Sequence, residues 1–429
     1  MKIALHTLGC KLNYAESSAI TQSLRNAGHQ IMKTGDNADM HIVNSCVVTD
    51  VAEKKCKSLI RKLKRKHPGA KIAVVGCFSQ LRKDELKTMD QVDLVVGNEH
   101  KADLVPLIQN FAAGKSQMVF HSDISKTDSF SPGCSTEGRT RSFVKIQDGC
   151  NHRCSFCAIP DARGNSRSAT AEQVIQQIKM LDQQGVKEMV LTGVNIGDFG
   201  QQHGEDLLYL LQQVDQLLPK ARVRLGSVEP ELLPDQLVDL IAESSVLMPH
   251  FHLPLQAGSN EVLLRMKRKY STEMFAERVW YVKNKIPHAF IACDIVTGFP
   301  GETEQQFLDG VQFVESLPLS AMHVFSYSDR SGTPASLMGP KVPAEEIKQR
   351  SKLLQTLAVR KRDAFNQRFL GDTRSVLFES GNRLGTISGF TDNYIRVQHP
   401  YMVTLENNIV SVKIVKSGIN GMMIGEVVQ

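Results

Sequence analysis

Apolar positions along the first third of the chain fall into short runs separated by stretches with helical spacing. Lys2–Leu8, Met40–Asn44, Ile72–Gly76 and Leu94–Gly97 have strand length, while the intervals near 14–27 and 50–66 repeat apolar residues every three or four positions. Strands alternating with helices predict an open parallel α/β sheet over residues 1–114. Residues 115–141, rich in Ser, Thr, Gly and Asp, read as a linker. From 142 the alternation resumes, with strands at Ser142–Gln147, Glu188–Gly193, Val223–Ser227, His250–Leu255, Phe290–Thr297 and Ala321–Phe325. Helices are expected at 170–184, 205–218, 231–244, 260–285 and 303–316. Six such units predict a parallel sheet curled into a partial (β/α)6 barrel over 142–367. A Gly/Pro-rich turn at 331–343 and a charged helix follow. Residues 368–429 change character, with short runs at Ser375–Glu379, Arg383–Gly389, Tyr394–Val397 and Val410–Lys416 between Gly, Asn and Asp. That pattern predicts a small antiparallel, OB-like β-barrel.

Composition adds modest limits. The 429 residues, 41% hydrophobic and 22% charged, suit two or three ordinary globular domains. The opening MKIALHTLGCKLNY has no apolar core of a signal peptide, and no run of 18 apolar residues occurs, so secretion and membrane insertion are not expected. Nine cysteines without such a signal point to a reducing, cytoplasmic setting and to metal ligation. A formal charge of +6 permits an anionic partner such as RNA without requiring one. The run Arg61–Lys66 either touches phosphate or forms a solvated helix face. In the last segment Arg368, Arg374, Arg383, Arg396, Lys413 and Lys416, with Phe390 and Tyr394, offer phosphate and stacking contacts; a plain β-domain is the alternative.

The chemistry concentrates in cysteine. Cys150, Cys154 and Cys157 are spaced C-x3-C-x2-C, and thiolates are the soft ligands of iron–sulfur clusters and zinc. Three thiols leave one corner of a cubane open, whereas a structural zinc wants four closed ligands; a zinc loop or buried structural thiols remain the alternatives. His152, inside this loop, is not counted as a ligand. Cys10, Cys46 and Cys77 each follow a predicted strand, 36 and 31 residues apart. Strand ends of a parallel sheet share one edge, so these thiols are expected to converge on a second metal site, unless they are three independent buried cysteines. Cys56 and Cys134 lack a matching partner, and Cys293 reads as core.

These residues also carry a resemblance. TLGCKLNYAES at 7–17, NSC at 44–46, VVGC at 74–77, KIQDGCNHRCSFCAIPDARG at 145–164 and HLPLQAGSNEVLLRMKRKY at 252–270 resemble the radical S-adenosylmethionine (SAM) methylthiotransferases. SYSDRSGTPA at 326–335 and GFTDNYIRV at 389–397 extend the likeness to the end of the chain, where that family has an RNA-binding TRAM domain. The resemblance implies two 4Fe–4S clusters: one on Cys150, Cys154 and Cys157, which cleaves SAM to a 5′-deoxyadenosyl radical, and an auxiliary one on Cys10, Cys46 and Cys77. Polar or glycine breaks at successive strand ends then become a candidate SAM pocket: Gly193, Asn195, Ser227, Glu229, Gln256, Thr297 and Gly298, together with Phe156. Singly, each of the strand-end residues is better explained as turn chemistry; only as a set do they make a pocket. The implied partners are the anticodon stem-loop of tRNA and an electron donor such as flavodoxin or ferredoxin. GCKLN and TGVNIGDFG at 192–200 resemble the branch that adds a methylthio group at C2 of N6-threonylcarbamoyladenosine at tRNA position 37. The rivals are the same reaction on isopentenylated adenosine and a non-catalytic, metal-stabilised RNA-binding protein.

Overall fold

The computed structural model describes residues 1–46, 50–112, 118–135, 140–381 and 385–428. Its first part is built on β1 (Lys2–Thr7), β2 (Gln30–Met32), β3 (Met40–Ser45), β4 (Lys71–Gly76), β5 (Leu94–Val96) and β6 (Met118–Phe120). Among the described residues they form one sheet in the order β2-β1-β3-β4-β5-β6, every pair parallel. β3 is buried at every position and β4 at all but its first, as expected for a parallel sheet covered on both faces. Helix α1 (Lys11–Asn26) packs Ile20 and Leu24 against Ile3 and Ile42. Helix α2 (Asp50–Lys66) packs Cys56, Ile60 and Leu63 against Val43 and Val74 on the opposite face. Two one-turn helices, α3 (Cys77–Leu81) and α4 (Lys83–Lys87), and then α5 (Leu104–Ala112) complete this layer.

β2 and β6, three residues each at the two edges of the sheet, escape sequence reading because their partly exposed positions make no buried apolar run. Both ends of the stretch read as linker are drawn into sheets. β6 joins the first sheet, and β7 (Gly133–Cys134) pairs antiparallel with β8 (Arg141–Lys145).

Beyond β8 a two-stranded ribbon, β9 (Gln147–Asp148) with β10 (Arg167–Ser168), brackets the Cys150–Cys157 loop and helix α6 (Ile159–Arg163). The strands β11 (Glu188–Thr192), β12 (Arg222–Leu225), β13 (His250–His252), β14 (Phe290–Thr297) and β15 (Ala321–Ser326) follow. β8, β11 and β12 are parallel neighbours, as are β13, β14 and β15, and single parallel bridges such as Ser227–His252 join the two groups. Among the described residues β8 and β15 do not pair, so the six-strand barrel stays open on one side. Helices α7 (Ala171–Gln183), α8 (Leu207–Leu217), α9 (Asp235–Glu243), α10 (Asn260–Arg265), α11 (Thr272–Lys285) and α12 (Glu304–Ser316) flank it.

The single helix expected over 260–285 is two. Lys267 takes φ +59°, the Arg268 N–H reaches Leu263 O at 2.9 Å, and Ser271 caps α11 by accepting the Met274 N–H. β13 stops at His252, short of the expected Leu255, just ahead of Pro254, which lacks a ladder donor.

Helix α13 (Ala344–Gln367) leads to β16 (Thr373–Phe378), β17 (Thr386–Thr391), β18 (Arg396–Pro400), β19 (Ile409–Ser417) and β20 (Met423–Val427), closed in the order β16-β17-β18-β20-β19. The closing pair β18–β20 is parallel; the others are antiparallel.

This small barrel plugs the floor of the large one. The Tyr394 ring lies 4.4 Å from His250 and 5.5 Å from Phe290, with the Arg224 guanidinium 4.8 Å from its centroid. Phe390 stacks on Tyr394 and lies under Arg141, and Arg374 bonds Asp392. The expectation that Phe390 and Tyr394 offer themselves to RNA is therefore corrected: domain docking uses them, while Arg374 is tied to Asp392 within the small barrel. Lys413, Lys416 and Arg368 stay exposed, and Arg396 is half-buried. Arg383 lies outside the described residues. Among the described residues no helix is long and apolar enough to cross a membrane.

Candidate active site

The first cysteine set is a local construction. Gly149, at φ +71°, turns the chain out of β9, and the Cys150 N–H then donates to Gly164 O at 3.1 Å to close the loop. Each sulfur receives one N–H: His152 N to Cys150 Sγ at 3.4 Å, Ile159 N to Cys157 Sγ at 3.4 Å, and Arg268 Nη1 to Cys154 Sγ at 3.2 Å. Such bonds favour thiolate and tune a bound cluster. Burial pushes the thiols the other way, Cys150 up to about 12 and Cys157 up to about 11, with Cys154 also raised. A metal must therefore displace protons to bind here. Soft thiols in a buried loop with a donor aimed at every sulfur fit an iron–sulfur cluster. The His152 imidazole faces Glu231, 3.9 Å away, rather than joining the set.

The second set is assembled by the sheet. Cys10 caps α1 after β1, Cys46 follows β3, and Cys77 begins α3 after β4. Gly9 (φ +115°) and Gly76 (φ +105°) make these exits possible; a Cβ on Gly9 would lie 2.7 Å from Cys46 Cβ, and one on Gly76 2.6 Å from Ser45 O. Gly9 thus brings the Cys10 turn directly against Cys46. Asn13 and Asn98 flank the set, with Cys10 Sγ and Cys77 Sγ each 3.8 Å from a side-chain amide. Cys56, read as a bystander, is fully buried beside it and its thiol donates to Cys46 O at 3.4 Å. Cys134 pairs in β7, and Cys293 lies in the barrel core as expected.

One short helix stands between the sets. α6 begins two residues after Cys157, and its Ala162 packs in the cluster that holds Cys77. The Arg163 guanidinium, nearly inaccessible, bonds Asn13 Oδ1 at 2.8 Å, Glu16 Oε1 at 2.9 Å and Asp148 Oδ1 at 2.8 Å. Lys101 and Lys145 also reach Glu16, and Lys145 reaches Asp148. Burial alone would raise Glu16, but Arg163, Lys101 and Lys145 outweigh it and hold its carboxyl well below the usual range.

The predicted pocket residues divide into groups. Gly193 leaves room for Gln147, whose Oε1 accepts Val194 N–H and Asn195 N–H at 2.8 and 2.9 Å and so ties the two strand-end loops together. Ser227 Oγ lies 3.1 Å from His252 Nδ1, and His252 Nε2 lies 2.9 Å from Asp294. Glu229 pairs with Arg268, the same guanidinium that meets Cys154. Burial pushes Glu229 up to about 7 despite that partner. Gln256, at φ +66°, bridges to β14. Phe156 meets Phe299 edge-on at 6.4 Å. Thr297 and Gly298 face α13: the Thr297 hydroxyl bonds Ser351 at 2.6 Å, and Ile347 fills the space beside Gly298. The sequence reading passed over Gln147, Arg163, Arg268 and Asp294, although the first three stand inside the quoted motifs. Their basic and amide side chains looked like ordinary surface.

Residues 2–97 match the uncharacterized protein family UPF0004, and residues 144–314 match the radical SAM superfamily. Threonylcarbamoyladenosine tRNA methylthiotransferase MtaB of Aquifex aeolicus is 35% identical, with 93% of this chain and 96% of that protein covered. The chain belongs to the radical SAM tRNA methylthiotransferase family. The protein of the same name from Thermotoga maritima is 38% identical over 92% of this chain and 90% of its own. This methylthiotransferase is also 34% identical to the tRNA-2-methylthio-N(6)-dimethylallyladenosine synthase of Syntrophomonas wolfei, over 89% of this chain and 87% of the other. Among solved structures, the radical SAM methyltransferase TsrM of Kitasatospora setae shares the fold at a TM-score of 0.60 and 14% identity, over 78% of this chain and 77% of that one.

Proposed function

We propose that this methylthiotransferase inserts a methylthio group at C2 of N6-threonylcarbamoyladenosine at position 37 of tRNA, using two 4Fe–4S clusters and SAM. Cys150, Cys154 and Cys157 would hold one cluster, and Cys10, Cys46 and Cys77 the auxiliary one. Phe156, Gly193, Asn195, Ser227, Glu229 and Gln256 would line the SAM pocket, with Thr297 and Gly298 contributing backbone. When bound, these groups supply radical chemistry at an aromatic C–H too weakly acidic for a side-chain base.

The observation that carries the reading is the placement of both cysteine sets against one five-residue helix, with Arg163 tying that helix to the turn that bears Cys10. A target base held between the sets would present C2 to both. The chain's own groups then position and exclude: Arg268 fixes Cys154 and Glu229, Gln147 locks the strand-end loops, and the Glu16–Arg163 network keeps the sheet seated on the barrel.

The division of labour we assign is 1–114 for the auxiliary cluster, 115–141 as connection, 142–367 for SAM and 368–429 for RNA, in a cytoplasmic enzyme served by a small electron donor such as flavodoxin or ferredoxin. The threonylcarbamoyl branch draws support from the names of the Aquifex and Thermotoga relatives. The relative named for dimethylallyladenosine is nearly as similar, so the substrate itself must be tested.

The deciding experiment is nucleoside mass spectrometry of tRNA incubated anaerobically with reconstituted enzyme, SAM and reductant. A methylthio shift on threonylcarbamoyladenosine is expected. A shift on isopentenyladenosine alone overturns the branch, and a colourless, zinc-only protein after anaerobic purification overturns the radical reading.

A further inference from the structure

The barrel lumen carries a charge imbalance that the cysteine sets do not explain. Lys11 follows Cys10 at the start of α1, whose Tyr14 and Ala15 pack on Phe143 and Val190 of the barrel wall. The ammonium of this half-buried lysine lies within electrostatic reach of Arg141, Glu188, Arg224, His250, His323 and Tyr394. Nearby carboxylates are taken: Glu188 holds Arg224 at 2.8 Å, and Asp294 holds His252 at 2.9 Å. Arg141 is paired with Glu379 at 3.0 Å. Among the described residues the Lys11 ammonium forms no hydrogen bond or ion pair. A partly desolvated ammonium facing a cation-rich wall is unfavourable until an anion joins it.

The same lumen offers further polar groups. Ligand atoms of His252, Asp294 and His323 lie within 4.8 Å of one another, and the two imidazoles are 5.4 Å apart, with His323 exposed. Ser227 and Asp294 fix the His252 ring from its two nitrogens, so it is preorganised and does not compete for Lys11.

We propose that this lumen is the subsite for the N6 substituent of the target adenosine, with Lys11 pairing a carboxylate on that substituent and the His252–Asp294–His323 group meeting its polar atoms. The inference rests on the tRNA reading above and names what distinguishes the two adenosines. On adenine, C2 and C6 flank N1, so a base that turns C2 to the cysteine sets sends its N6 substituent to another wall. The threonylcarbamoyl group ends in a carboxylate and carries hydroxyl and ureido groups. An isopentenyl group is uncharged hydrocarbon and would leave Lys11 unpaired.

The test compares anticodon stem-loop RNAs bound to cluster-loaded enzyme under anaerobic conditions, by fluorescence anisotropy. One RNA carries threonylcarbamoyladenosine, one the same nucleoside with its carboxylate converted to the primary amide, and one unmodified adenosine. Wild-type enzyme is expected to bind the acid about 10-fold or more tighter than the amide, the size of a charge-assisted hydrogen bond. Lys11→Gln should bring acid and amide to parity, and Lys11→Arg should restore part of the gap; iron content verifies that each variant keeps its clusters. Equal binding of acid and amide by wild-type enzyme overturns the proposal without any variant, as does an acid preference that survives in an iron-replete Lys11→Gln protein. If wild-type enzyme modifies isopentenyladenosine and leaves threonylcarbamoyladenosine untouched, the substrate reading fails first, and that result is distinct from equal binding by an enzyme that does modify it.

Discussion

The two cysteine sets are assembled by opposite routes. Cys150, Cys154 and Cys157 sit in one loop, and two of their three N–H donors come from the loop's own backbone. Cys10, Cys46 and Cys77 come from three strand exits, and their approach depends on β1, β3 and β4 being adjacent. A local loop needs only its own turn and one long-range arginine, Arg268. A dispersed site inherits every error in sheet order and in the packing of the sheet on the barrel. The buried network at Arg163 couples the turn that bears Cys10 to Asp148, beside the loop of the first set.

The largest expected effect separates the roles of the sets. Cys157→Ala should abolish both SAM cleavage and methylthio transfer, whereas Cys10→Ala should spare cleavage to 5′-deoxyadenosine while abolishing transfer. Assaying both products in each variant checks this, and equal loss of both activities in Cys10→Ala would sink the division.

Next comes the joint between them. Arg163→Met leaves Glu16 and Asp148 buried with fewer partners and should destabilise the protein by about 3–5 kcal/mol. A fall in the thermal midpoint would be accompanied by loss of auxiliary iron before loss of the loop cluster. An unchanged midpoint would mean the network is dispensable.

A smaller effect probes the one long-range donor of the local set. Arg268→Gln removes the bond to Cys154 Sγ and the partner of Glu229, and should slow SAM cleavage about 10–100-fold. Potentiometric titration followed by EPR should find the potential of the loop cluster moved and that of the auxiliary cluster unmoved.

The smallest effect lies beneath the dispersed set. His6, His41 and His67 lie in a row of tilted rings with centroids 5.2 and 4.8 Å apart, and burial, then His41 and His67, push His6 down to about 4. Its folded form resists a proton that the unfolded chain accepts near the ordinary value of about 6.5. Stability from this group is therefore complete above that value and is lost as pH falls toward 4, about 1 kcal/mol of it by pH 5.5. Denaturation midpoints at pH 7.5 and 5.5 measure it, and His6→Gln should flatten the difference.

Much of this architecture was legible beforehand. The parallel sheet, the open barrel and the terminal small barrel follow from apolar runs, because burying one face or two dictates their period. The loop cysteines were legible for the same reason: their spacing is local. The edge strands β2 and β6 were not, since a few half-exposed residues carry neither a period nor a buried run. The break at Lys267 was hidden because a left-handed cap on a non-glycine residue leaves little trace in sequence.

Residue types and spacing by themselves determined which side chains could ligate metal and which segments would form strands, because those properties belong to neighbours along the chain. Tertiary structure alone decided how they are used. It turned Tyr394 and Phe390 from exposed aromatics into a plug beneath the large barrel. It made Arg163 the tie between the two cysteine sets, through its bond to Glu16 147 residues earlier in the chain. It also left the Lys11 ammonium without a partner among the described residues. A charge becomes a tie, a plug or an open binding group according to what is buried against it, and burial is fixed only when distant segments meet.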